Sequence, residues 1–123
     1  MKLTAQVLRK LIVEAMESRQ VVLKLQSGNV VLDIPKGFSK RKDGPDRSDS
    51  SLHQIVIVTN DRRKMMDISY DYEVEDVQIN IFVRDPVDKI LDYRGGHLVP
   101  AGSPSEVIRR KFNELMEKLK KEQ

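Results

Sequence analysis

The chain has 123 residues, of which 39% are hydrophobic and 33% are charged, a length and composition that suit one folded domain with one core over residues 1–123. It has no cysteine, which excludes disulfides and cysteine-based zinc sites, and no apolar run approaches the roughly 20 residues that span a bilayer. The net charge of +3 is uneven, with 13 basic and 7 acidic side chains in residues 1–66 but 2 and 8 in residues 67–92, which excludes a uniformly basic nucleic-acid coat.

The first elements along the chain are predicted to be a helix and a β-hairpin. Apolar residues recur at helical spacing from Leu3 to Met16, and Thr4 can cap them, which predicts an amphipathic helix over residues 5–18. The next segment, QVVLKLQSGNVVLDI, contains two β-branched runs around a turn in which Gly28 can supply a positive φ. We therefore expect a hairpin directly after the helix.

The segment from Pro35 to Ser51 is rich in proline, glycine, serine and charge, and Phe38 is its only large apolar residue. It is predicted to be a mobile loop at about 36–51. Its cations and those of the connection after QIVIVT form a candidate nucleic-acid-binding tract, because neutralised phosphates release counterions. The candidate residues are Lys36, Lys40, Arg41, Lys42, Arg47, Arg62, Arg63 and Lys64. Aspartates within the loop favour a solvated linker over this contact.

The clearest strand signal lies between Met66 and Val83. The apolar residues of two runs alternate with polar ones, and the runs meet at a probable turn at Glu75 and Asp76, which predicts an antiparallel pair. The apolar positions are Met66, Ile68, Tyr70, Tyr72 and Val74 in the first run and Val77, Ile79, Ile81 and Val83 in the second. The carboxylates of the first run, Asp67, Asp71 and Glu73, are candidate metal ligands, although a solvated outer sheet face explains them more simply.

Residues 87–102 suit two different structures. A hairpin turning at Gly95 and Gly96 is one, and a loop with a short helix capped by Asp85 is the other. We favour the loop with a short helix.

The C-terminal segment is predicted to be an amphipathic helix. Ser103 takes the cap position, Pro104 the first position and Glu106 the third, and an apolar stripe runs from Val107 to Leu119. The predicted fold class is therefore α+β, an antiparallel sheet of four to five strands with the N- and C-terminal amphipathic helices packed on one face.

The N-terminal sequence resembles the start peptide of many small, mostly uncharacterised proteins of tailed bacteriophages. The resemblance covers residues 1–17 and departs from the pattern at Ala5, Gln6 and Ala15. The matching positions are Met1, Lys2, Leu3, Thr4, Leu8, Leu11, Ile12 and Glu14. This resemblance implies a phage origin with a virion or assembly role, and it assigns no catalytic residues.

No convincing catalytic set accompanies these folding signals, so we expect a non-enzymatic protein-interaction or assembly module without a cofactor. Its partner would be another protein or a second copy of the chain, and no membrane is involved. Two alternatives stay open: a nucleic-acid-binding protein using the basic tract, and a metal-dependent hydrolase centred on Asp67, Asp71 and Glu73. The N-terminus lacks the pattern of a secretory signal, which predicts the host cytoplasm or the virion as the location.

Overall fold

The computed structural model describes residues 19–122, which contain seven strands and one helix. The elements are β1 (Gln20–Leu25), β2 (Gly28–Asp33), β3 (Phe38–Pro45), β4 (Leu52–Thr59), β5 (Lys64–Asp71), β6 (Val77–Arg84), β7 (Leu91–Val99) and α1 (Ser105–Lys121). β1 and β2 form a separate antiparallel hairpin, and β3 to β7 form a five-stranded antiparallel sheet in chain order. The α+β class with an antiparallel sheet is therefore confirmed, and the described chain is mostly β.

The core lies between the five-stranded sheet and a layer formed by the hairpin and α1. Residues that alternate along β5 and β6 point inward, because side chains of a strand alternate between its two faces. The hairpin adds Val21, Leu23, Val30 and Leu32, and α1 adds Ile108, Phe112, Met116 and Leu119. Since α1 contacts β2, β5, β6 and β7, it packs on the same side of the sheet as the hairpin.

The prediction of a mobile loop at 36–51 is wrong for its central part, which is β3. Phe38 is buried, and the charged residues after it alternate across an edge strand paired with β4. A bulge at Arg41 interrupts the register between Lys40 and Lys42. The backbone hydrogen bonds supplied by β4 stabilise a sequence that has little strand propensity of its own.

The prediction of a short helix within 87–102 is also wrong, because Leu91–Val99 forms β7. Gly96 lies inside the strand, opposite Asn80 of β6. Both glycines lie within β7 and do not make a turn, and Gly96 leaves room for the side chain of Asn80.

Two element boundaries also differ from the predictions. β5 ends at Asp71, and its carboxylate accepts the N–H groups of Glu73 and Val74 in a turn that Glu75 completes with a φ of 65°. The helix starts at Ser105 with Pro104 as its cap residue and with no side-chain cap hydrogen bond, so the predicted Ser103 cap does not form.

The predicted helix over residues 5–18 and the start peptide lie outside the described residues. Between residues 19 and 122, no helix is long and apolar enough to span a membrane. The described fold therefore consists of the hairpin, the five-stranded sheet and α1.

Candidate functional site

The outer face of the five-stranded sheet, defined as the face turned away from the hairpin and α1, carries apolar side chains in one line. Val58 pairs directly with Met65, Met65 with Phe82, and Phe82 with Tyr93. The rings of Phe82 and Tyr93 meet edge-on with their centroids 5.8 Å apart. These four residues, called the apolar row, cross β4 to β7. Val58 is only 9% exposed, Met65 and Phe82 are half-buried, and Tyr93 is 58% exposed at the end of the row.

A polar line lies beside the apolar row on the same face. Lys42 Nζ donates to Gln54 Oε1 at 2.7 Å, and Gln54 Nε2 donates to Asp67 Oδ2 at 2.8 Å. The other oxygen of Asp67 is buried and has no hydrogen-bond partner among the described residues. Burial raises the pKa of Asp67, and the hydrogen bond from Gln54 offsets this only in part.

Gly96 positions the aromatic end of the apolar row. A Cβ atom at this position would lie 2.3 Å from Asn80 Oδ1 and 2.7 Å from the Tyr93 hydroxyl. Both distances are shorter than real carbon contacts, so only glycine fits here. The missing side chain lets the Tyr93 hydroxyl lie close over the backbone of β7.

The two ends of the sheet carry opposite charge. Tyr72 N–H donates to Ser51 O, which places the β3–β4 and β5–β6 turns at one end, called the acidic end. Its acidic residues are Asp46, Asp49, Asp71, Glu73, Glu75 and Asp76. The other end, called the basic end, joins the β4–β5 turn to the C-terminus of α1, because Lys64 Nζ donates to Lys120 O at 2.8 Å. Its basic residues are Arg62, Arg63, Lys64, Arg84, Lys89, Lys118, Lys120 and Lys121, and its acidic residues are Asp61, Asp85, Asp88, Asp92, Glu117 and Glu122, so its positive balance is small.

A cluster of titratable side chains lies on the inner side of the sheet near its β3 edge. His53 Nε2 lies 2.5 Å from Asp43 Oδ1, and His53 Nδ1 lies 2.7 Å from the Tyr72 hydroxyl. Lys40 Nζ donates to Asp43 Oδ2 at 3.1 Å. The imidazole stacks on the Tyr70 ring with centroids 5.0 Å apart and planes inclined by 23°. Asp43, Tyr70 and Tyr72 therefore contact His53 directly, and Lys40 holds Asp43.

The protonation of this cluster follows from its contacts. Burial of Asp43 favours its neutral form, but hydrogen bonds from His53 and Lys40 and their positive charge outweigh burial, so the pKa of Asp43 is lowered. An anionic Asp43 requires the imidazole proton on Nε2. In neutral His53, Nδ1 then accepts the hydrogen bond of the Tyr72 hydroxyl. The carboxylate of Asp43 thus orients the imidazole, and the phenol of Tyr72 donates to its other nitrogen.

The cluster opens into a groove between β1 and the β3–β4 pair. This groove, called the His53 groove, has a volume of about 360 Å³. Its lining residues are Gln20, Val22, Lys24, Lys40, Asp43, His53 and Tyr70. The Tyr70 hydroxyl accepts the N–H of Lys24 at 3.3 Å, which connects the hairpin to the five-stranded sheet. Burial raises the pKa of Tyr70, so its hydroxyl stays protonated at neutral pH.

The structure brings only part of the predicted nucleic-acid-binding tract together, with Lys36 and residues 62–64 at one end of the sheet. Lys40 pairs with Asp43 on the inner side, whereas Lys42 bonds Gln54 on the outer face. Arg47 lies in a turn at the acidic end, while Arg62 lies at the basic end. The remaining members are Lys36 in the β2–β3 turn, Arg41 at the β3 bulge, Arg63 in the β4–β5 turn and Lys64 against α1. Phe38, the aromatic residue of the tract, is buried in the core.

The predicted metal ligands are separated as well. Asp67 lies in the middle of β5 on the outer face and bonds Gln54. Asp71 ends the strand with its carboxylate on the turn backbone, and Glu73 lies in that turn. Within residues 19–122, no three histidine or acidic side chains lie close enough together to hold a metal ion.

Comparisons of the chain with protein-family models, curated proteins and solved structures find no match. The candidate functional features are therefore the outer face and the His53 groove. Sequence reasoning singled out neither of them, because each depends on which strands pair and in which register. The alternation of Phe82 with inward-facing valine and isoleucine residues was the one signal that pointed to an aromatic side chain outside the core.

Proposed function

We propose that the protein is a non-enzymatic assembly module that pairs with a second copy of itself through the outer face of its five-stranded sheet. The observation that carries the proposal is the apolar row, which crosses four strands on a face that neither the hairpin nor α1 covers. Aromatic residues and methionine are enriched in the centres of protein interfaces. A row with Met65 and Phe82 at its centre and Tyr93 exposed has that composition.

The charges of the two ends favour a second copy as the partner. In a symmetric dimer, the same surface patch of both chains meets itself. A two-fold axis that runs across the strands, between two facing sheets, reverses the strand direction of the second copy. The acidic end of each sheet then faces the basic end of the other, and this complementarity supports association in one orientation.

The start-peptide resemblance supports a phage origin for such a module. A self-associating small protein suits an accessory or structural role in the virion or in the host cytoplasm. The proposal does not depend on that origin, since it is argued from the outer face.

The first test measures the mass of the full chain by analytical ultracentrifugation over a range of concentrations. We expect a dimer that dissociates on dilution, and Met65→Lys should raise its dissociation constant at least about tenfold, because a charge would be buried in the apolar row. Val87→Lys is the matched control, since Val87 is 88% exposed in the β6–β7 turn. A wild-type chain that remains monomeric up to about 1 mM, or a dimer insensitive to Met65→Lys, would contradict the proposal.

A charge-swap experiment tests the orientation. Arg62→Glu with Arg84→Glu makes the basic end acidic, and Glu73→Lys with Asp76→Lys removes most of the negative charge of the acidic end. Each variant alone should dimerise more weakly than the wild type, whereas an equal mixture should form the heterodimer. Added salt should weaken that heterodimer, because it screens exposed charges. A mixture that associates no better than its components would rule out the reversed arrangement of the strands.

A further inference from the structure

The His53 groove lies on the opposite side of the sheet from the apolar row and is independent of the proposed dimer. Its volume of about 360 Å³ falls within the size range of small-molecule pockets. Its walls come from β1 on one side and from β3, β4 and β5 on the other. A ligand held there would therefore contact both the hairpin and the five-stranded sheet.

The charged groups of the groove favour an anion. Lys24 stands on the β1 wall and Lys40 on the β3 wall, while Asp43 is the acidic residue that lines it. Asp43 already accepts hydrogen bonds from Lys40 and His53, and its lowered pKa reflects these contacts. Among the residues that line the groove, two lysines therefore face one carboxylate, while Glu75 near Tyr70 and Asp33 bonded to Gln20 lie outside the lining.

The other lining residues of the groove suit a flat, apolar part of a ligand. Val22 contributes methyl groups from β1, and His53 contributes its ring, whose side chain is 16% exposed. Both imidazole nitrogens are already engaged by Asp43 and Tyr72. His53 therefore offers a ligand the face of its ring, and the stacked Tyr70 keeps that ring in place.

We infer that the His53 groove binds a small organic anion, whose negative head lies between Lys24 and Lys40 and whose planar apolar body lies against Val22 and His53. The head is a carboxylate or a phosphate ester, since an ammonium group interacts with either as a charge-assisted hydrogen-bond donor. Binding would connect the hairpin to β3, which shares no backbone pairing with it.

The test is a titration of the full-length, isotope-labelled chain, followed by amide chemical shifts, with benzoate and phenyl phosphate as the anionic probes. Benzylamine, which has the same ring with a positive charge, is the counter-probe. We expect saturable shifts at Val22, Lys24, Lys40 and His53 with a dissociation constant on the order of 1 mM for at least one anion. The anion that binds more tightly identifies the head group.

Variants of Lys24 and Lys40 test whether the anion binds at these two lysines. Lys24→Gln and Lys40→Gln should each weaken the bound anion about tenfold, because each removes a charged donor. Lys36→Gln, in the exposed β2–β3 turn, should bind as the wild type does. Thermal unfolding of each variant shows that it is folded. The inference is overturned if neither anion gives saturable shifts up to about 10 mM, if benzylamine binds as tightly, or if the three variants bind alike.

Discussion

The imidazole of His53 lies 2.5 Å from the carboxylate of Asp43, and this contact joins the edge strand β3 to β4 at a point where the sheet has no further strand beside it. Lys40 adds a second donor to the same carboxylate at 3.1 Å. An edge strand with this polar sequence has few apolar contacts of its own. Its attachment therefore depends on the charge of Asp43 as well as on backbone pairing.

Replacing Asp43 with asparagine should destabilise the protein by about 1 kcal/mol at pH 7, because it removes a partly exposed, charge-assisted acceptor. The pKa of Asp43 in the folded state lies below its ordinary value of 3.8, so its carboxylate contributes stability above that pH and loses it as the pH falls through the folded pKa. Denaturant unfolding at fixed protein concentration should show the difference at pH 7 and its decrease as the pH falls below 3.8. Asp76→Asn, in the β5–β6 turn, is the control. Equal stability of Asp43→Asn and wild type at pH 7 would contradict the expectation.

The contribution of Asp67 to stability should depend on pH in the opposite way. Burial raises its pKa above 3.8, so the charged form costs stability at neutral pH, and that cost is relieved as the pH falls through the folded pKa. Asp67→Asn retains an acceptor for Gln54 and removes the buried charge, and it should stabilise the protein at pH 7 by on the order of 1 kcal/mol. The gain should shrink as the pH falls through the raised folded pKa and be lost once the pH lies below 3.8. A variant less stable than the wild type at pH 7 would show that the charge of Asp67 is well solvated or favourably paired.

Gly96→Ala should destabilise the sheet by about 2 kcal/mol, because the new Cβ would overlap Asn80, Tyr93 and the backbone oxygen of Ile79, which lies 2.9 Å away. Gly44→Ala is a matched control on the opposite edge strand, where a Cβ meets no atom within 4 Å. Chemical denaturation of both variants gives the comparison. Similar stabilities for the two would mean that β7 adjusts freely around this position.

The elements that could be predicted from the sequence are those in which buried positions recur with a regular period within one segment. The predicted alternation is confirmed for Met66, Ile68 and Tyr70, which are buried, but not for Tyr72 and Val74, which are 40% and 60% exposed because β5 ends at Asp71. The C-terminal stripe likewise predicted a helix with Phe112 and Leu119 in the core. Both patterns are local, so each can be recognised within a single segment of the chain.

The elements that sequence reasoning missed depend on their neighbours. β3 has the composition of a loop, and it is a strand because β4 supplies its hydrogen bonds. Gly95 and Gly96 are typical of a turn, yet β7 needs Gly96 for the close approach of Asn80. The candidate sites were missed for the same reason, since Asp43, His53 and Tyr72 meet through strand register and lie far apart along the chain.

Phe112→Ala should be the most damaging of the substitutions considered, because α1 packs on both sheets and Phe112 is only 2% exposed. Truncation of a buried phenylalanine typically costs about 3–5 kcal/mol. The hairpin pairs with no strand of the five-stranded sheet, so it should lose amide hydrogen-exchange protection at least as much as β5 and β6 do. Asn113→Ala, on the exposed side of α1, is the matched control and should change stability by less than about 0.5 kcal/mol. A Phe112→Ala variant as stable as Asn113→Ala, or one that keeps full protection in β1 and β2, would mean that contacts other than those of α1 hold the hairpin on the sheet.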